Sequence, residues 1–266
     1  MISYFSSLDP TIQALIASLF TFLITVIGAS LVFFFHSIHK TILDSMLSIS
    51  GGIMLAASYF SLLAQGIVIS NQLHFTTWIV ILFGFLSGGI FLFFCDKIID
   101  YLSIKKNFLK NNSLKCSILL FFSITLHNIP EGLVIGVAFG AVQQGINSAS
   151  LLSAITLAVG IAIQNFPEGS AISLPMRRDG LSCLKAFLFG SLSAIVEPIF
   201  AVVGAILVLK IQVLLPFIMS FTASAMIFVV IKELVPESQS NKKKGLMTLL
   251  FLIGFSIMMF LELIME

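Results

Sequence analysis

Leu126-His127-Asn128-Ile129-Pro130-Glu131-Gly132 sets an imidazole, an amide and a carboxylate inside a long apolar run, and Ile163-Gln164-Asn165-Phe166-Pro167-Glu168-Gly169 repeats the pattern in a second run. In each copy the first polar residue and the Glu are four apart and the Asn and Glu three apart, so all three project from one helical face. A third acid, Glu197, stands in Ser193-Ala194-Ile195-Val196-Glu197-Pro198. The donor set is thus His127, the amides of Asn128, Gln164 and Asn165, and the carboxylates of Glu131, Glu168 and Glu197, with no thiolate. Imidazole with carboxylate suits Zn²⁺, Fe²⁺, Mn²⁺ and related divalent ions, and suits Cu⁺ less, which prefers sulfur. Such a set is poorer in nitrogen and richer in oxygen than a structural zinc site, which favours exchange over permanent closure.

The elements that hold these residues must lie in a membrane. Hydrophobic residues make up 58% of the chain and charged residues 10%, with a mean hydropathy of +1.12, whereas charged residues are about a quarter of a soluble protein. Apolar runs long enough to cross ~30 Å of hydrocarbon fall at roughly 11–35, 41–67, 76–96, 116–141, 150–175, 183–209, 212–235 and 245–264. This predicts an all-α polytopic membrane protein with eight transmembrane helices in one transmembrane domain over residues 1–266. A loop at 97–115, basic and without apolar periodicity, reads as a flexible cytoplasmic linker. The first run has no basic segment before it and no small-residue cleavage signature after it, so it reads as a retained span.

Lysine and arginine set the orientation. Lys40, the group from Lys97 to Lys115, Arg177, Arg178, Lys185, Lys232 and Lys242 to Lys244 fall on one side, and Lys210 alone on the other. The basic side is cytoplasmic, so both termini lie outside, in a plasma or bacterial inner membrane. These charges are sorted by loop rather than gathered into a patch with aromatics, so the net charge of +2 argues nothing for nucleic acid and no such partner is expected. Cys95, Cys116 and Cys183 have no ligand spacing and read as thiols on the cytoplasmic side.

Glu131, Glu168 and Glu197 fall near the middles of the fourth, fifth and sixth spans. A carboxylate at that depth costs roughly 2.5 kcal/mol or more and lines a cavity or an ion path. No lysine or arginine is predicted nearby, so either protons or a cation must neutralise the three. Pro130, Pro167 and Pro198 lack an N–H and are expected to free the carbonyls of Leu126, Ile163 and Ala194, which at membrane depth can also serve as ligands.

The paired H-N-x-P-E-G-type motifs resemble those of the ZIP (Zrt/Irt-like) divalent metal transporters, and Gln164 in the second copy is similar to the GufA-like branch. The likeness extends over the spans and includes Ser50-Gly51-Gly52-Ile53-Met54-Leu55-Ala56-Ala57-Ser58. It implies a binuclear metal site at mid-membrane, held by His127, Asn128, Glu131, Gln164, Asn165, Glu168 and Glu197, with Glu131 and Glu168 bridging. It also implies a homodimer and a 3+2+3 arrangement in which spans 1–3 and 6–8 are inverted repeats. Zinc, or cadmium, iron or manganese, would be the transported substrate, carried into the cytoplasm, and no organic cofactor is expected. Three departures from the family pattern stand out. Gln164 replaces a common His, Lys232 stands where His is common and leaves Glu233 as the exit-path candidate, and residues 97–115 contain no His.

Other readings explain less. Carboxylates and amides alone would suit a proton or alkali-cation carrier, but His127 beside them points to a transition metal. An intramembrane metal-dependent hydrolase would need H-E-x-x-H, which is absent, and the mid-span acids are Glu rather than the paired Asp of a carboxylate-dyad protease. His36 and His39 read as interfacial residues, His74 as a loop residue, and Met54 and Met226 as helix-packing residues.

Overall fold

The computed structural model describes residues 5–35, 39–105, 112–143, 150–210 and 214–265, and within these the side chains other than those of 96, 99–105, 112–120, 123, 127, 210 and 265. Eight helices are long and apolar enough to cross a membrane. They are α1 (Pro10–Phe34), α2 (Lys40–Gln72), α3 (Thr77–Lys105), α4 (Asn112–Gln143), α5 (Leu151–Arg178), α6 (Cys183–Leu192 and Val196–Lys210), α7 (Leu215–Gln239) and α8 (Lys244–Met265). Among the described residues there is no strand.

Local chemistry sets the ends. Asp9 caps α1 by accepting from the Thr11 N–H at 2.8 Å, with Pro10 in the first turn, where its missing N–H costs nothing. The same hydrogen bonds from Thr11 hold the Asp9 carboxyl below its ordinary range. Ser150 and Ser182 cap α5 and α6, and His39 caps α2 through Nδ1, a structural role for a residue otherwise read as interfacial. Helix α5 stops where Leu181 N–H reaches back to the Met176 carbonyl at 3.1 Å and Gly180 takes φ +104°, the left-handed conformation that glycine adopts without strain.

Four pairings dominate the packing: α1 on α5, α4 on the second half of α6, α2 on α8, and α3 on α7. The helices accordingly gather into two groups, α1, α4, α5 and α6 in one and α2, α3, α7 and α8 in the other, meeting chiefly where α2 lies on α5 and α7 on α4. Along their most apolar stretches α4 and α5 are 71% and 61% buried, against 17% for α3 and 22% for α8. The motif helices are therefore central, and α3 and α8 turn Phe83, Phe94, Leu252 and Phe260 outward.

With no water to drive helices together in lipid, close backbone approach must supply the contact. A Cβ at Gly132 would collide with the Glu197 carbonyl, and one at Gly169 with the Thr25 carbonyl. The glycine after each motif Glu thus lets α4 reach α6 and α5 reach α1. Gly52 and Gly254 do the same between α2 and α8, and Gly84 and Gly88 between α3 and α7.

Several expectations change. Residues 97–105 and 112–115, expected within a loop, continue α3 and begin α4, and 106–111 lie outside the described residues. Pro130 and Pro167 sit inside continuous helices, but α6 is broken at residues 193–195. Pro198 does not free the Ala194 carbonyl, which accepts from the Glu197 N–H at 3.0 Å. The break falls before the proline, so Pro198 belongs to the first turn of a new helix, where an N–H is not needed. Two π-helical turns, Ser58–Ala64 in α2 and Val230–Leu234 in α7, have no counterpart in the sequence reading. Neither Cys95 nor Cys183 is in a disulfide, and the Cys116 side chain and His36 lie outside the described residues.

Gly136 packs on backbone atoms of Ala201 and Ala205, which cannot give way, whereas nothing lies within 4 Å of a Cβ at Gly245. Gly136→Val is expected to cost about 2 kcal/mol or more by overpacking and to lower the melting midpoint in detergent, with Gly245→Ala unchanged. Equal midpoints would contradict the close α4–α6 contact.

Candidate metal-transport centre

Asn128 and Glu131 come from α4, Gln164, Asn165 and Glu168 from α5, and Glu197 from the first turn of the second half of α6. All are fully buried except Glu168, which is 2% exposed. Restarting the helix at Val196 puts Glu197 at a helix N-terminus, where the backbone dipole favours a carboxylate. Both Glu131 and Glu168 act on Glu197 electrostatically, so acids of three helices lie within electrostatic reach of it. The His127 side chain lies outside the described residues.

The amides answer the acids in pairs. Gln164 Nε2 donates to Glu131 Oε1. Asn165 Nδ2 donates to both oxygens of Glu197, at 2.9 and 3.0 Å. Thr21 of α1, itself fully buried, donates from Oγ1 to Glu197 Oε2 at 2.6 Å. Across from this group Ser50 of α2 donates to the Gln164 carbonyl at 3.3 Å, a bond between the two groups of helices.

This use of the amide N–H groups leaves their oxygens over. Among the described residues, Asn128 Oδ1, Gln164 Oε1 and Asn165 Oδ1 have no hydrogen-bond donor, and neither has Asn128 Nδ2 an acceptor. Buried polar atoms are ordinarily satisfied, and each exception asks for an explanation. Three unanswered carbonyl-type oxygens beside three carboxylates form a concentration of hard donors suited to a cation. Among the described residues no three His, Cys, Asp or Glu side chains stand together as a ready metal-ligating group. A half turn of the Gln164 and Asn165 amides would present their oxygens and release the carboxylates they now hold.

Glu233 lies in the π-helical turn of α7. Its side chain is 17% exposed, and the Lys232 ammonium stands 3.8 Å from Oε1. Met54 and Met226 are fully buried, in keeping with packing roles.

Residues missed by the sequence reading carry equal physical weight. Thr21 belongs to a stripe of Ser18, Thr21 and Thr25 at helical spacing, all buried, and that spacing was visible. Asp44, fully buried, accepts from Asn241 Nδ2 at 2.7 Å. Glu262 is 4% exposed and accepts from Ser61 Oγ in the α2 π-turn. Both acids fall inside spans 2 and 8 as read from hydropathy, but toward their ends, and the reading attended only to the middles.

A family model described as ZIP Zinc transporter matches residues 105–262. The zinc transporter ZIP11 of Xenopus tropicalis is 33% identical over 96% of this chain and 97% of its own length, and ZIP11 of Homo sapiens is 32% identical over 94% and 96%. The zinc transporter GufA of Myxococcus xanthus is 31% identical over 58% of this chain and 59% of its own.

Asn165→Leu removes the amide that holds both Glu197 oxygens and leaves Thr21 alone on Oε2, and is expected to destabilise the purified protein by about 3 kcal/mol, the cost of taking hydrogen bonds from a buried acid. Asn128→Leu removes an amide with no partner among the described residues, and should leave the melting midpoint equal or raised. Melting curves in chelator check the contrast, and a larger loss from Asn128→Leu would refute this account of the amides.

Proposed function

Because the chain belongs to the ZIP zinc transporter family and so transports a divalent metal across a membrane, we propose that the metal passes through the buried cluster on α4, α5 and α6. The observation that carries this reading is the set of unanswered amide oxygens at Asn128, Gln164 and Asn165 beside Glu131, Glu168 and Glu197. His127, Asn128, Glu131, Gln164, Asn165, Glu168 and Glu197 are the ligands of a binuclear site, with Glu131 and Glu168 bridging. A metal arriving from the outer face exchanges water for amide and carboxylate oxygens, and continues inward past Glu233.

The two groups of helices suggest how access alternates. Every described ligand is on α4, α5 or α6, in one group, and the other group meets it through a limited set of contacts that includes Ser50 on Gln164. Sliding of one group past the other would carry the site between faces without rebuilding it. An inverted repeat relating α1–α3 to α6–α8 is part of this reading. It would exchange α1 with α6 and α4 with α5, turning the α1–α5 pairing into the α6–α4 pairing, and likewise α2–α8 into α7–α3. The observed pairings obey that exchange, and π-turns occur in both α2 and α7.

One transporter domain, assembled as a homodimer with both termini outside a plasma or bacterial inner membrane, completes the proposal. Lys40 Nζ donates to Ser240 Oγ at 2.8 Å, and Cys183 Sγ to the Val32 carbonyl at 3.1 Å. These contacts set the basic loop before α2 beside that before α8, and the start of α6 beside the inner end of α1. Both support the sidedness given by the basic residues. Hydrolysis plays no part in this reading, and the relatives named above are transporters.

Reconstituted in proteoliposomes, the wild-type chain is expected to take up Zn²⁺ and Cd²⁺, and Glu131→Ala with Glu168→Ala to abolish uptake while the variant still folds. Equal uptake by the double variant would place the path elsewhere. Inhibition of uptake by excess Na⁺ or K⁺ would favour an alkali-cation carrier instead.

A further inference from the structure

The two oxygens of Glu197 are not equivalent. Among the described residues Oε1 accepts only from Asn165 Nδ2, at 2.9 Å, whereas Oε2 accepts from Asn165 at 3.0 Å and from Thr21 Oγ1 at 2.6 Å. Thr21 Oγ1 also lies 2.9 Å from the Ser18 carbonyl and has a single proton to give. A carboxylate is the stronger acceptor, so a Glu197 that serves as a ligand accepts the hydrogen bond from Thr21 Oγ1. Glu197 Oε2 is then held by Thr21 even when the Asn165 amide turns its oxygen toward the metal.

On the reading of Glu197 as a metal ligand, we propose that Thr21 is a specificity-determining positioning residue, which anchors Oε2 and leaves Oε1 as the oxygen that meets the metal. Single-oxygen coordination has a chemical consequence. A small ion such as Zn²⁺ is satisfied by few ligands at short distance, whereas a larger ion gains from both oxygens of a carboxylate and a higher coordination number. An anchored Glu197 therefore favours Zn²⁺ over the larger Cd²⁺, and an unanchored one gives part of that preference away.

The geometry makes Thr21 suited to this work. It is fully buried, on a helix that packs against both α5 and α6, so neither water nor a flexible loop competes for its hydroxyl. The Gly169 contact with the Thr25 carbonyl fixes α1 one turn away. Valine would preserve the shape of Thr21 and remove only the hydrogen bond.

The test compares zinc and cadmium uptake by wild type, Thr21→Val, Thr21→Ser and Glu197→Gln in proteoliposomes, normalised to reconstituted protein. Thr21→Val is expected to raise KM for Zn²⁺ about tenfold, the effect of one hydrogen bond to a charged group, with Vmax within about twofold and KM for Cd²⁺ changed by less than about threefold. Thr21→Ser should restore both values. An unchanged zinc KM in Thr21→Val overturns the inference, as does an equal rise for the two ions, which would mark Thr21 as structural. If Thr21→Val does not reconstitute, Thr21→Ala carries the same expectation and the same refutation. Loss of uptake in Glu197→Gln with Thr21→Val unaltered removes this inference alone, whereas undiminished uptake in Glu197→Gln removes the role of Glu197 as ligand and this inference with it.

Discussion

An acid buried where there is no water must find a donor or a cation within its own protein. Three such acids on three helices set the terms for the rest of this chain. They draw α4, α5 and α6 to one place, require amides on the same helical faces, and bring α1 in through Thr21. The glycines that follow Glu131 and Glu168 serve the same end. Without a side chain at Gly132 or Gly169, α4 and α5 approach the backbones of α6 and α1, which holds the acids close enough to act on one another.

A second constraint follows from the first. A site assembled wholly within one group of four helices can move as a unit only if its borders with the other group are lightly tied. The ties between the groups, chiefly the α2–α5 packing with Ser50 on Gln164 and the α7–α4 packing, are less extensive than the α4–α6, α1–α5, α2–α8 and α3–α7 contacts inside them. Breaks in helical regularity lie at the parts that must adapt, at residues 193–195 beside Glu197 and in π-turns that carry Ser61 and Glu233. Such turns recur at functional sites because they widen a helix without ending it.

Span number, helical class and the polar cluster were legible in the sequence, because hydrocarbon thickness fixes a run length and because charge is rare enough at depth to mark function. Helix ends were less so. Hydropathy reports where a helix leaves the membrane, and α3 continues as a helix through charged residues to Lys105. Pro198 shows a similar limit, since a proline signals interrupted hydrogen bonding but not on which side the interruption falls. Thr21, Asp44 and Glu262 were missed for another reason. Their partners, Glu197, Asn241 and Ser61, lie far away along the chain, and a pairing of that kind leaves no periodicity to read.

Distance along the chain also orders events in time. The first turns and the π-turn of α2 are tied to the last hairpin to be made, since Asp44 takes its hydrogen bond from Asn241, 197 residues later, and Ser61 gives its own to Glu262, 201 residues later. At ~5–20 residues per second of synthesis, α2 waits about 10–40 s for these partners, whereas Glu131 and Glu197 find Gln164 and Asn165 at separations of only 33 and 32. The nascent chain can therefore assemble its central cluster early, from neighbouring spans, whereas these two hydrogen bonds of its second helix form only when translation is nearly done. The emergence of α8 supplies the last of the ties described for α2.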